Sequence, residues 1–172
     1  AGMYNYYGSP TVVNCIFTGN SAQYGGAISN EHSNLTLTNC TFSANVATAF
    51  GGAIANWYGS PTLANCIFSG NIAFNAYGGG MYNTTASPAV TNVVFSGNSA
   101  TYGGGGMYNS GPGNPVLTNV TFSGNSATTY GGAIYKDAGS PTLANSILWG
   151  NTAGSEGAQI YQVGASTVSA TY

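Results

Sequence analysis

The chain has 172 residues, of which only Glu31, Lys136, Asp137 and Glu156 carry a formal side-chain charge, for a net charge of -2. That balance offers no basic footprint for nucleic acid, and no apolar run approaches the roughly 20 residues of a membrane-spanning helix. Low charge with abundant Gly, Asn, Ser and Thr would suit disorder, but 13 Tyr and 7 Phe on a strict period would not.

The opening Ala1-Gly2-Met3-Tyr4-Asn5 matches Gly79-Gly80-Met81-Tyr82-Asn83, so the chain is expected to begin within a repeat. The first clear element is an apolar–polar alternation, Leu35-Thr36-Leu37-Thr38, whose Leu37 position holds Val12, Leu63, Val90, Leu117 and Leu143 in the other repeats. Period two predicts a strand. An asparagine follows each time (Asn14, Asn39, Asn65, Asn92, Asn119, Asn145), then a second short strand with Cys15 and Phe17, two apart, on one face. That strand ends at a second asparagine: Asn20, Asn45, Asn71, Asn98, Asn125 and Asn151, at spacings of 25, 26, 27, 27 and 26 residues. Next comes a glycine pair, as in Gly25-Gly26-Ala27-Ile28, opening a third strand with Ile28, Ile54, Met81, Met107, Ile134 and Ile160 in one column. Ser166–Tyr172 reads as the first strand of another turn.

A fixed period in this range marks a solenoid. The expected fold is all-β: a right-handed parallel β-helix with three short strands per coil of about 26 residues. Residues 1–172 are expected to form one solenoid segment of a longer protein. Each coil alone buries almost nothing, but stacking at the ~4.8 Å strand spacing lays Phe on Phe and Ile on Ile. Extra residues in some repeats must sit in loops, because a slip within a strand would flip its faces. Both asparagine columns fall where the coil turns. Asn tolerates left-handed backbone, and its amide can bond to the copies on either side. The series from Asn20 to Asn151 is therefore read as a structural ladder.

The pairing of Phe17-Thr18-Gly19-Asn20 with Gly25-Gly26-Ala27-Ile28, repeated through five copies, resembles the repeats of bacterial polymorphic outer-membrane proteins and related surface β-helices. The final stretch, Asn145 to Asn151 followed by Gly157-Ala158-Gln159-Ile160-Tyr161, resembles the closing coils of large exported bacterial β-helix proteins that end in an anchoring module. The resemblance implies an extracellular or bacterial cell-surface location. It implies no membrane insertion by these residues, among which the barrel of that group has no counterpart.

Chemistry finds little purchase. Glycoside hydrolysis normally uses two carboxylates across a cleft, whereas Glu31 lies far along the repeat count from Asp137 and Glu156, which occupy different loops. Lyase chemistry resembling that of pectate lyases would need clustered Asp and a basic group, and the chain has no arginine. His32 is the sole histidine. Cys15, Cys40 and Cys66 form a vertical column rather than a tetrahedral set, continued by Val93 and Val120. That column reads as buried thiols, with a disulfide between adjacent coils also open. Glycosylation sequons at Asn34 and Asn83 read as loop positions. No catalytic residue, cofactor or metal site is assigned, and the chain is read as non-enzymatic.

One column departs from packing need. After the Ile/Met position stand Tyr4, Ser29, Ala55, Tyr82, Tyr108, Tyr135 and Tyr161. Alternation turns this residue outward, so Tyr82, Tyr108, Tyr135 and Tyr161, with Trp57 and Tyr58 nearby, form the expected contact surface. A second near-column runs Tyr24, Phe50, Tyr77, Tyr102 and Tyr130. Exposed aromatics among Asn and Ser suit a protein surface or a sugar ring. The leading expectation is a structural or adhesive extracellular rod, with self-association into filaments or a cell-surface protein or glycan as partner. The alternative is a carbohydrate-binding or carbohydrate-processing module whose active residues lie outside these coils. An ice-binding solenoid is a lesser one: Thr11, Thr36, Thr62 and Thr142 share a column, but Ala89 and Val116 interrupt it.

Overall fold

The computed structural model describes residues 1–164 and 167–171. They form 26 short strands in four parallel sheets of seven, seven, six and six strands. The fold is a right-handed parallel β-solenoid. One coil shows the plan: strands Thr36–Thr38, Thr41–Ser43, Val46–Phe50 and Ile54–Trp57 each join a different sheet. Each coil therefore has four strands, not the three expected. The missed strand follows the second asparagine and shrinks to two residues at Ser99–Ala100 and Ser126–Ala127. No alternation can be read from a pair. Of the strand expected over residues 166–172, Ser169–Thr171 is described, and Ser166 and Tyr172 lie outside the described residues.

Four corners separate the four strands, and each is turned by one residue of positive φ. The first is the asparagine column from Asn14 (φ 56) to Asn145 (φ 50); the second is Gly19, Ala44, Gly70, Gly97, Gly124 and Gly150. The third is the leading glycine of each pair, such as Gly51 (φ 69). Tyr7, His32, Tyr58, Thr85, Gly111, Gly139 and Gly164 make the fourth. L residues pay about 1–2 kcal/mol for this region, and Gly and Asn pay least. The second asparagine thus follows a left-handed residue and is not one itself. The following glycine of the pair has a different cause: a Cβ on Gly52 would run into the Gly79 carbonyl oxygen and the Ile72 backbone. One glycine is needed for its turn, the next for close packing.

Register is like over like. Phe17, Phe42, Phe68, Phe95 and Phe122 pair in sequence, with ring centroids 4.7 Å apart between Phe42 and Phe68 and 4.8 Å between Phe95 and Phe122. That spacing is the strand spacing itself, so stacking costs no distortion. Phe42, Phe68, Phe95 and Phe122 are fully buried with Ile28, Ile54, Met81, Met107, Leu37, Leu63, Val90 and Leu117 in one continuous core. Each such ring contributes about 1.5–3 kcal/mol of burial. The three thiols are free; Cys40 and Cys66 are buried and Cys15 is half-buried. Each thiol donates to the carbonyl two residues earlier, and Ser146 repeats that bond at the same position. Burial pushes the Cys66 thiol up to about 11.

Candidate functional site

Three asparagine columns run along the solenoid, and they behave differently. The corner column is exposed and linked in part by single amide bonds, from Asn39 to Asn14 at 3.1 Å, Asn92 to Asn65 and Asn119 to Asn92. The column from Asn20 to Asn151 turns its amides inward. Asn45, Asn71, Asn98 and Asn125 are completely buried. Asn71 Oδ1 accepts from both the backbone N–H (3.0 Å) and Nδ2 (2.9 Å) of Asn45, while Asn71 Nδ2 donates to Asn98 Oδ1 and to the Phe42 carbonyl. Every polar atom of the amide is used. The ladder closes at Asn151, whose Nδ2 bonds Gln159 Oε1 at 2.7 Å.

The third column was not singled out from sequence. Asn5, Asn30, Asn56, Asn83 and Asn109 stack in register, followed by Lys136 and Gln162. Asn56 donates to Asn83 and Asn83 to Asn109, each at 2.9 Å. The chain of bonds fails at both ends. Asn30 Nδ2 turns to the Ser33 carbonyl instead, leaving Asn56 Oδ1 without a donor. At the other end Lys136 offers no acceptor, so Asn109 Nδ2 and Lys136 Nζ are both buried without a hydrogen-bond partner among the described residues. Lys136 is fully buried, and desolvation lowers its pKa from 10.5. Asn83 belongs to this column and is buried, which corrects its reading as a loop sequon; Asn34 is exposed.

The expected tyrosine surface is largely covered. Tyr82, Tyr108, Tyr135 and Tyr161 do stack in register, with Tyr82 and Tyr108 rings 5.2 Å apart and 6° from parallel. They point away from the main core as alternation requires. The loop aromatics then close over them: Phe50 lies 4.6 Å from Tyr82, Tyr77 4.5 Å from Tyr108 and Tyr130 4.4 Å from Tyr161. Tyr82 and Tyr108 are only 8% exposed and form a second hydrophobic cluster with Phe50, Trp57, Tyr77 and Tyr135. Burial raises the pKa of Tyr82 and Tyr108 and pushes Tyr135 up to about 12. Within the second near-column, Tyr102 stands one residue out of place. Gly103 pairs with Tyr77 and Tyr130, and a Cβ there would meet the Tyr135 ring at 2.6 Å.

Apart from Phe74, Tyr102 and Trp149, the exposed aromatics gather on the early coils. Tyr4, Tyr6, Tyr7 and Tyr58 are all more than half exposed. At the fourth corner Tyr7, His32 and Tyr58 stack face to face, with centroids 4.8 and 4.7 Å apart and planes within 7°. Trp57 is half-buried and stands edge-on to Tyr24. The signal for the stack was present in the sequence, since all three residues fall at one repeat position, but their neighbours Thr85 and Gly111 hide the series. The threonine column is as uneven as read: Thr62 pairs with Ala89 and Ala89 with Val116. Among the described residues no three His, Cys, Asp or Glu side chains lie together as a metal site, and no helix is long and apolar enough to cross a membrane.

Four stretches, residues 14–31, 39–56, 92–110 and 119–136, match the model of the Chlamydia polymorphic membrane protein (Chlamydia_PMP) repeat. The first runs from Asn14 through Phe17, Asn20 and the glycine pair to Glu31, so the matched unit is the corner asparagine, the core phenylalanine, the inner ladder and the third turn. Together with the solenoid fold, this makes the chain a repeat protein similar to the polymorphic membrane proteins in those segments. No curated protein and no solved structure matched.

Proposed function

We propose that this chain is a non-enzymatic, extracellular rod that spaces or adheres at a bacterial cell surface. The repeat match supports the surface location and the class of protein. The observation that carries the adhesive part is the stack of exposed Tyr7 and Tyr58 on either side of half-buried His32, flanked by exposed Tyr6. Rings exposed on a stiff axis supply desolvatable area at low entropic cost.

Beads coated with the protein test this directly. Adhesion to cultured cells should fall several-fold for the Tyr7→Ser, Tyr58→Ser double variant, whose positions lie outside the core. Equal adhesion of the variant would exclude the corner stack. Sedimentation of the same samples separates self-association, which would raise the apparent mass, from adhesion by single rods.

A further inference from the structure

The outward tyrosine column lacks two rungs, at Ser29 and Ala55, and only one of the gaps is filled. Trp57 lies 5.9 Å from Tyr82 and 5.4 Å from Tyr24, and it covers Ala55, which is fully buried. At the other gap Ser29, itself only 7% exposed, forms the floor of a cleft of about 440 Å³ walled by Tyr4, Tyr24, Glu31, Phe50 and Trp57.

The geometry of the walls narrows what fits. Tyr24 stacks on Phe50 with centroids 6.0 Å apart and planes 12° apart, and Trp57 meets Tyr24 edge-on at 89°. Two ring walls at a right angle form a corner rather than a flat platform. On the open side Tyr4 Oη donates to Glu31 Oε2 at 3.1 Å, which holds the carboxylate at the rim. Glu31 is the single charged residue of the lining, and the chain's one basic side chain, Lys136, is buried elsewhere. A sugar ring requires several directional partners, and here the Tyr4 hydroxyl and one Glu31 oxygen already serve each other. A compact organic cation requires π faces and a negative charge, with few directed bonds.

We propose that the cleft at Ser29 binds an alkylated ammonium group, as in a choline or methylated-amine head group, held by the Tyr24–Trp57 corner and neutralised by Glu31. This site goes beyond the adhesive reading and stands or falls independently of the Tyr7–His32–Tyr58 stack.

The test titrates choline against the emission of Trp57 in the Trp149→Phe protein, which leaves one tryptophan of the two. Saturable quenching with a Kd on the order of 1 mM is expected for such a partly open cage. The neutral isostere 3,3-dimethyl-1-butanol should bind at least about fivefold more weakly, because it lacks the charge that the rings and carboxylate recognise. Glu31→Gln should weaken choline by about the same factor, while Ser29→Tyr, which restores the missing rung, should abolish binding with no loss of thermal stability. Equal binding of choline and its isostere would overturn the proposal, as would quenching that survives in Ser29→Tyr, the absence of saturable quenching by choline, or stronger quenching by neutral hexoses.

Discussion

The two inward asparagine columns are made of the same residue, in the same solenoid, at the same spacing, yet only one is complete. In the column from Asn20 to Asn151 each buried amide accepts two bonds and donates two. In the column from Asn5 to Gln162 one amide turns away at Asn30 and a lysine interrupts at position 136, leaving three buried polar atoms unpartnered. The difference is positional. The complete ladder sits beside a corner whose Phe carbonyl takes the spare Nδ2 hydrogen, and its backbone N–H joins the network. The incomplete one lies within a strand, where the backbone is already committed to the sheet, so its amides meet one another except at Asn30, which reaches the Ser33 carbonyl.

The largest expected effect comes from breaking the complete ladder. Asn71→Ala removes the acceptor of two Asn45 donors and the donor to the Phe42 carbonyl, all buried. At about 1–3 kcal/mol for each stranded group, partly relieved by relaxation, a loss of about 3–5 kcal/mol is expected in denaturant unfolding. Asn56→Ala in the broken column removes one bond, to Asn83, and a group whose oxygen is already unpartnered. Its cost should be about 1–2 kcal/mol.

Repairing the broken column should do the opposite. Lys136→Asn supplies the oxygen that Asn109 Nδ2 lacks and removes a buried, unpartnered amine. A gain of about 1–3 kcal/mol is expected, read as a higher denaturant midpoint. The pH dependence has a definite sign. The folded pKa of Lys136 lies below its ordinary 10.5, so between the two values the unfolded chain binds more protons than the folded one. Wild-type stability therefore rises relative to Lys136→Asn as pH climbs through that window, and the full deficit is present below it. A constant difference between the two proteins up to pH 10.5 would show that the lysine is not dry.

Smaller effects separate the corners and the thiols. Ala44 is the one non-glycine of its corner, at φ 52, where the other five copies are glycine. No atom lies within 4 Å of the corresponding Cβ position at Gly19 or Gly70, so the strain is in the backbone alone. Ala44→Gly should gain about 0.5–1 kcal/mol, the left-handed penalty less the entropy of an added glycine. Among the cysteines, half-buried Cys15 should react with a thiol reagent at neutral pH well before Cys66, whose pKa burial raises to about 11.

Much of this was legible in the sequence because like stacks on like. The Phe column, the Ile/Met column and the inner asparagine ladder are all periodic, and their registers are those of the sheets. The fourth strand escaped because two residues carry no period. The third asparagine column escaped because Asn30 sits between Ser29 and Glu31 like a loop residue, and Lys136 breaks the series. Alternation gave the outward direction of Tyr82 and Tyr108 correctly but not their cover. Phe50 and Tyr77 stand on stretches that differ in length between repeats, and what such a stretch folds over is decided by packing in three dimensions. The Ser29 cleft is the same lesson in reverse: the missing rung is visible in the sequence, but Trp57 filling only the neighbouring gap is not.

The comparison of the two columns is tested most directly by hydrogen exchange of the asparagine side-chain amides, followed by NMR. The Nδ2 hydrogens of Asn45, Asn71, Asn98 and Asn125 should exchange only on global unfolding, with those of Asn109 exchanging markedly faster. Uniform rapid exchange at Asn45, Asn71, Asn98 and Asn125, as for amides in water, would contradict the stacked interior on which the fold and every site described on it depend.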